Sequence, residues 1–155
     1  MMTDNKPTVL YVDDEVNNLH SFKASFRRQF NILTAESAEE ARKILAANTV
    51  HVIVSDQRMP QMTGIQFFSS ILDEYPDAVR MLLTGYADIQ AVIDAINLGQ
   101  VFRYFSKPWN DEEIIRHISE AYELYMLKLQ NKELTNKLID NNNKMEFLLR
   151  QNLLS

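Results

Sequence analysis

Apolar residues follow two alternating rhythms along this chain. Short, mainly apolar runs at residues 9–12, 50–55, 79–83 and 101–105 read as strands buried on both faces. Residues 32–35 form a shorter, weaker strand candidate. Between the runs, apolar positions recur at helical spacing. They are Val16, Leu19, Phe22, Phe26 and Phe30; then Ala38, Ala41, Ile44 and Leu45; then Ile65, Phe68, Ile71 and Leu72; and then Ile89, Val92, Ile93 and Ile96. Ser37 and Glu40 are spaced as a capping box, Gly99 closes one helix, and Asn110 opens the last ahead of Asp111, Glu112 and Glu113. This alternation predicts a doubly wound α/β domain, a parallel sheet with helices on both faces.

The end of the chain breaks that pattern. Leu124, Leu127, Asn131, Leu134, Leu138, Asn141, Met145 and Leu148 are spaced alternately by three and four, a heptad seam that includes two Asn. No Pro or Gly follows Pro108. A helix from Asp111 to Arg150 would be roughly 60 Å long at 1.5 Å per residue, more than the body can bury. The expectation is a projecting helix over 126–155, appended to a domain over 6–125, that pairs with a second copy as a parallel homodimer with Asn131 and Asn141 setting the register. The weak stretch is Asp140-Asn141-Asn142-Asn143, poor helix formers where the helix is expected to fray or break.

Composition narrows the class. With 21 acidic and 16 basic residues among 155, the chain lacks the basic stripe of a nucleic-acid binder. It has no cysteine, so disulfides and thiolate metal sites are excluded. No apolar stretch approaches the ~20 residues that span a bilayer, and the first residues lack the apolar core of a signal peptide. A soluble cytoplasmic protein is the expectation. His20, His51 and His117 are not spaced as metal ligands and read as structural. Trp109 is expected to pack on the last helix or to fill a partner interface.

The chemistry sits where the apolar runs end. One stops at Asp13-Asp14, another at Asp56, another at Thr84-Gly85, and the last leads to Lys107-Pro108. In a parallel sheet those ends share one edge, where open α/β folds place their sites. Asp13, Asp14 and Asp56 offer only oxygens, a set suited to Mg²⁺. A metal-neutralised Asp can attack a phosphoryl group, with a Lys to stabilise the phosphoryl oxygens.

Asp13-Asp14, Asp56 with Met59-Pro60 and Gly64, Thr84-Gly85 and Lys107-Pro108, in that order, resemble the receiver domain of two-component response regulators. The resemblance covers residues 6–125. It implies a five-stranded flavodoxin-like sheet of order 2-1-3-4-5. It makes Asp56 the phosphoacceptor, Asp14 a direct Mg²⁺ ligand and Asp13 one acting largely through water, with the Arg58 backbone carbonyl as a further ligand. It assigns Thr84 and Lys107 to the phosphoryl group, Thr84 and Tyr104 to the conformational switch, and a cis peptide to Lys107-Pro108. The switch reshapes the face of the fourth helix, fifth strand and fifth helix. A sensor histidine kinase or a phosphotransfer protein would be the donor. The stretches Asp56-Gln57-Arg58-Met59-Pro60, Leu83-Thr84-Gly85-Tyr86-Ala87 and Tyr104-Phe105-Ser106-Lys107-Pro108-Trp109 resemble receivers joined to HD-GYP phosphodiesterases and to hydrogenase-type transcriptional regulators. An output of that kind would take roughly a hundred or more further residues; otherwise the chain is a stand-alone receiver with a helical extension.

Arg58 and Tyr86 lie two residues after Asp56 and Thr84, where bulky side chains would obstruct hydrolytic water and slow dephosphorylation. Two other classes compete. One is a phosphorylation-independent dimeric scaffold. The other is a Mg²⁺-dependent aspartyl-phosphate hydrolase, which usually carries an Asp acid/base two residues after its nucleophile; here that position is Arg58. The reading is a signalling switch rather than a turnover enzyme.

Overall fold

The strand pattern folds as a single parallel sheet. In the computed structural model, which describes residues 6–85 and 88–154, the elements run β1 (Thr8–Val12), α1 (Val16–Phe26), β2 (Asn31–Ala35), α2 (Ala38–Ala47), β3 (Val52–Asp56), α3 (Gly64–Ile71), β4 (Val79–Thr84), α4 (Ile89–Asn97), β5 (Arg103–Ser106) and α5 (Asp111–Leu154). The sheet order is β2-β1-β3-β4-β5, with every pairing parallel.

Alternation along each strand feeds two cores. Val9, Tyr11, Val54 and Met81 face α1 and α5, packing on Phe22, Phe26, Ile114 and Ile118. Leu10, Val12, Ile53 and Leu82 face α2, α3 and α4, packing on Leu45, Phe67, Phe68, Ile71 and Val92. Burial on both faces is why these strands read as mainly apolar runs.

Caps set the helix starts. Ser37 accepts from Glu40 N–H at 3.1 Å, but the Glu40 carboxylate returns to Glu36 N–H at 3.2 Å, so the expected box closes one residue early. Thr63 and Gln66 form a full capping box that the sequence reading missed. Asn110 caps α5 through Glu113 N–H at 3.0 Å. Gly99, at φ +76, follows the end of α4.

Several expectations need correction. The fifth strand starts at Arg103 rather than Val101. The buried guanidinium of Arg80 draws in the carbonyls of Gln100 (2.8 Å) and Gly99 (3.5 Å), so the chain bends there and the ladder begins with Met81 opposite Arg103. In α3, Phe67 is fully buried beside Phe68 and Ile71, while Ile65 is only half-buried. In α4 the inward pair is Val92 and Ala95, and Ile93 is exposed. Trp109 stands edge-on to Tyr11 and Phe22 and packs, half-buried, against the core shared by α1 and α5.

Helix α5 is 44 residues long, about 66 Å at 1.5 Å per residue. It does not break at Asp140–Asn143, where Lys144 pairs with Asp140 at 3.3 Å. Tyr122 and Tyr125 pack edge-on to His51, whose Nδ1 accepts from Thr8 N–H at 2.9 Å. Lys132 reaches back to Asp77. Beyond these anchors the seam is bare: Leu127, Leu134, Leu138, Met145 and Leu148 are between 57% and 64% exposed. Among the described residues, no helix is long and apolar enough to cross a membrane.

Candidate functional site

Strand register gathers the polar residues. Val12 lies opposite Ser55, Asp56 opposite Leu83, and Thr84 opposite Ser106. The residues just past these ends, Asp13, Asp14 and Lys107, therefore meet Asp56 at one edge. Carboxylate oxygens of Asp13, Asp14 and Asp56 all lie within 4.8 Å of one another.

Asp13 is fully buried. The Tyr11 phenol donates to its Oδ2 at 2.6 Å, the Asn18 amide donates to the same oxygen at 3.1 Å, and Glu15 N–H donates to Oδ1 at 3.0 Å. These donors satisfy an anion that burial would otherwise strand. Burial, followed by the Asp13 hydrogen bond and the charges of Asp13, Asp56 and Glu15, pushes the Tyr11 phenol far above its usual range, so it remains a donor. Asp14 is exposed at the mouth.

Asp56 is 7% exposed. Lys107 Nζ sits 3.0 Å from its Oδ1 and 3.8 Å from Asp13 Oδ2. Burial raises the Asp56 pKa; Lys107 pulls against the rise through hydrogen bond and charge, Asp13 adds to it, and the Arg58 backbone N–H opposes it. The Lys107-Pro108 peptide is cis.

Gly64 makes the site's geometry possible. A Cβ there would fall 2.7 Å from the Asp56 carbonyl oxygen and 2.7 Å from Leu82 Cδ2. Its N–H donates to the Gln57 carbonyl at 3.0 Å, and the Gln57 side chain accepts from Ile65 N–H at 3.0 Å. These bonds fasten the loop after Asp56 to the start of α3.

A cleft of about 370 Å³ opens between Asp14, Asp56, Arg58, Gly85, Asp88 and Lys107. At its base the cluster of Asp13, Asp14 and Asp56 sets three carboxylates against the one ammonium of Lys107, a deficit of two positive charges. An all-oxygen set with that deficit fits a hard divalent cation such as Mg²⁺. Arg58 extends across the mouth to Asp88, Nε to Oδ2 at 2.8 Å.

The structure brings together Asp13, Asp14, Asp56 and Lys107. Thr84 lies buried at the same edge with its hydroxyl donated to the Gly85 carbonyl at 3.1 Å. Tyr104 is half-buried against the core on the α4 side. Tyr86 falls outside the described residues. Sequence reasoning missed Tyr11, Asn18, Gln57 and Asp88. For Tyr11 a signal existed, since residues two apart on a strand share a face.

Residues 9–119 match the family described as response regulator receiver domain. The hydrogenase transcriptional regulatory proteins HoxA of Bradyrhizobium diazoefficiens and Cupriavidus necator are 35% identical over 121 residues and 36% identical over 122, or 78% and 79% of this chain. The chain spans 25% of the length of each of these curated relatives. The solved signal receiver domain of an HD domain-containing protein from Pseudomonas fluorescens Pf-5 is 30% identical, with a TM-score of 0.75 over 84% of this chain and 96% of that one. A structure described as adenylate cyclase from Rhodopirellula baltica is 32% identical, with a TM-score of 0.82 over 85% of this chain and 98% of that one.

Proposed function

This chain belongs to the response regulator receiver family, and we propose that it is a phosphorylation-controlled switch of a two-component system with Asp56 as phosphoacceptor. A sensor histidine kinase or a phosphotransfer protein supplies the phosphoryl group. An Asp56 carboxylate oxygen bonds to phosphorus as the P–N bond of the phosphohistidine breaks, and the departing imidazole takes up a proton. Asp13, Asp14, Asp56 and the Arg58 backbone carbonyl would hold Mg²⁺, which supplies positive charge to the phosphoryl oxygens when bound. Lys107 contributes its ammonium to the same oxygens.

The contact that carries this reading is Lys107 Nζ at 3.0 Å from Asp56 Oδ1, inside a cluster of three carboxylates. No second Asp stands two residues after Asp56 to act as acid/base, since Arg58 occupies that position. Receivers are a family generally not classed as enzymes.

The output follows from charge. Phosphorylation adds about −1.5 to −2 at Asp56, and the state that binds that group better gains population. Thr84 gives up the Gly85 carbonyl to donate to a phosphoryl oxygen, and Tyr104 turns inward. The face of α4, β5 and α5 is reshaped, and the change passes along α5 to an output domain or a partner. Residues 6–125 act as the receiver and 126–155 as a helical extension that pairs with a second copy. The names of the HoxA relatives and of the HD-domain receiver suggest a transcriptional or an HD-domain output.

The test is the mass of the pure protein after incubation with Mg²⁺ and acetyl phosphate, beside Asp56→Ala, with light scattering on the same samples. A phosphoryl adduct on the wild type alone is the expected result. Bound Mg²⁺ with no adduct would overturn the switch and leave a dimeric scaffold.

A further inference from the structure

Asp88 occupies the N-cap position of α4 and caps nothing: its side chain makes no hydrogen bond to the first turn of the helix. Ser37, Thr63 and Asn110 each accept from an N–H in the first turn of α2, α3 and α5. An Asp at this position ordinarily does the same. The first turn of α4 also holds no acidic residue to complement its N–H groups. The carboxylate of Asp88 is instead held by Arg58, Nε to Oδ2 at 2.8 Å, across 30 residues of sequence.

Arg58 belongs to the acceptor loop. It lies two residues after Asp56, and its side chain lines the same cleft as Asp56, Lys107 and Asp88. The ion pair therefore ties the acceptor loop to the N-terminus of α4. Arg58 is 71% exposed at its side chain, and a solvent-exposed pair holds weakly.

We propose that Asp88 is a positioning residue for Arg58, and that the pair is a latch opened by the phosphoryl group. A phosphoryl group on Asp56 presents three acceptor oxygens and more negative charge than one carboxylate. A guanidinium favours such an acceptor for its fork of donors. Arg58 moves to the phosphoryl group, and the freed Asp88 turns to accept from Gln90 or Ala91 N–H. The weakness of the exposed pair makes the exchange easy, and the new cap orders the first turn of α4. The inference rests on the receiver reading and adds to it a connection from the acceptor to α4 that bypasses Thr84 and Tyr104.

The experiment is amide hydrogen exchange at Gln90 and Ala91 in wild type, Arg58→Ala, Asp88→Ala and Asp88→Ser, with Mg²⁺ and with or without beryllofluoride as the phosphoryl stand-in. Fluorine NMR reports whether the stand-in is bound. In the wild type, binding slows exchange at these amides about fivefold, the effect of one typical N-cap bond. Arg58→Ala shows the slow rate without beryllofluoride. Asp88→Ser, able to cap and unable to hold Arg58, also shows it throughout, and Asp88→Ala shows it in neither condition. Bound fluoroberyllate with unchanged exchange in the wild type would overturn the latch alone. Failure to bind it at all would overturn the receiver reading and the latch together.

Discussion

Lys107 Nζ bridges Asp56 Oδ1 at 3.0 Å and Asp13 Oδ2 at 3.8 Å, one ammonium shared by carboxylates from two neighbouring strands. It does not fully offset the cost of burying Asp56, whose pKa remains raised. A raised carboxylate binds its proton more tightly folded than unfolded. Ionised Asp56 therefore subtracts stability above its folded pKa, and the loss disappears as pH falls below the unfolded value of about 3.9. Asp56→Asn is expected to unfold at a higher temperature than wild type at neutral pH without divalent ions, with the gap closing on acidification. Added Mg²⁺ should stabilise the wild type by about 2.7 kcal/mol at a hundredfold excess over Kd, raising its midpoint, and move Asp56→Asn less. Thermal melts across pH and Mg²⁺ would check both, and a wild type more stable than Asp56→Asn without metal would refute the first.

Gly64 offers a second test. A methyl there meets the Asp56 carbonyl oxygen and Leu82 Cδ2, both at 2.7 Å, and the backbone oxygen cannot yield without moving Asp56. Gly64→Ala should cost roughly 1–3 kcal/mol and weaken Mg²⁺ binding in the same variant. Urea unfolding and Mg²⁺ titration would measure the two effects. A stable variant with unchanged Mg²⁺ affinity would show that the loop relaxes freely.

The site was legible because its residues terminate apolar runs, and a parallel sheet brings such ends to one edge. The strands were legible because burial on both faces leaves few polar interruptions. What was not legible depends on partners distant in sequence. Arg80 looks like a surface residue inside a strand, yet it is buried because three backbone carbonyls, of Ala78, Gly99 and Gln100, surround its guanidinium. Phe67 displaces Ile65 from the core because α3 starts with Gly64 pressed against the end of β3. The low propensity of Asp140–Asn143 predicted a break, but once a helix has formed on both sides, propagation costs far less than nucleation. Asp88 gave no local sign that its partner was Arg58.

Arg58 at the mouth of the cleft bears on the lifetime of the phosphoryl group. Arg58 and Tyr86 follow Asp56 and Thr84 by two residues, and Arg58 lines the cleft. Autodephosphorylation is expected on the order of hours, as limited water access implies. Arg58→Ala and Tyr86→Ala should each shorten it. Decay of the phosphoryl adduct, followed by mass, would decide the matter, and fast decay equal in all three proteins would remove this role.

His51 ties the base of α5 to the sheet, and it must be neutral to do so. Its Nδ1 accepts from Thr8 N–H, which an imidazolium cannot do. Burial lowers its pKa. A depressed folded pKa supplies stability that is present above the unfolded value of about 6.5 and lost as pH falls through the folded value. His51→Ala should be less stable than wild type at pH 7.5, with the difference narrowing below pH about 6.5. Chemical denaturation at several pH values would show it; a constant difference would place the role of His51 in packing against Tyr122 and Tyr125 alone.

The seam of α5 reads nearly the same from either end. Leu124, Leu127, Asn131 and Leu134 are mirrored by Leu148, Met145, Asn141 and Leu138. Two copies can therefore match apolar with apolar and Asn with Asn in parallel register or antiparallel, so the core does not choose. The flanks do. Parallel pairing sets Glu123 beside Lys128 of the second copy on both sides, whereas antiparallel pairing sets Lys137 against its own counterpart. Leu124 already packs on the body. A parallel pair loses one layer to that contact, and an antiparallel pair loses two, because each copy's Leu148 would face a covered Leu124. The parallel homodimer is expected. The chain has no cysteine, so Leu134→Cys introduces a single thiol that faces itself in the parallel pair and faces Leu138 in the antiparallel one. Oxidation should cross-link Leu134→Cys alone. Cross-linking only in a mixture of Leu134→Cys with Leu138→Cys would reverse the orientation, and a monomer mass for the wild type by light scattering would dispose of the pair.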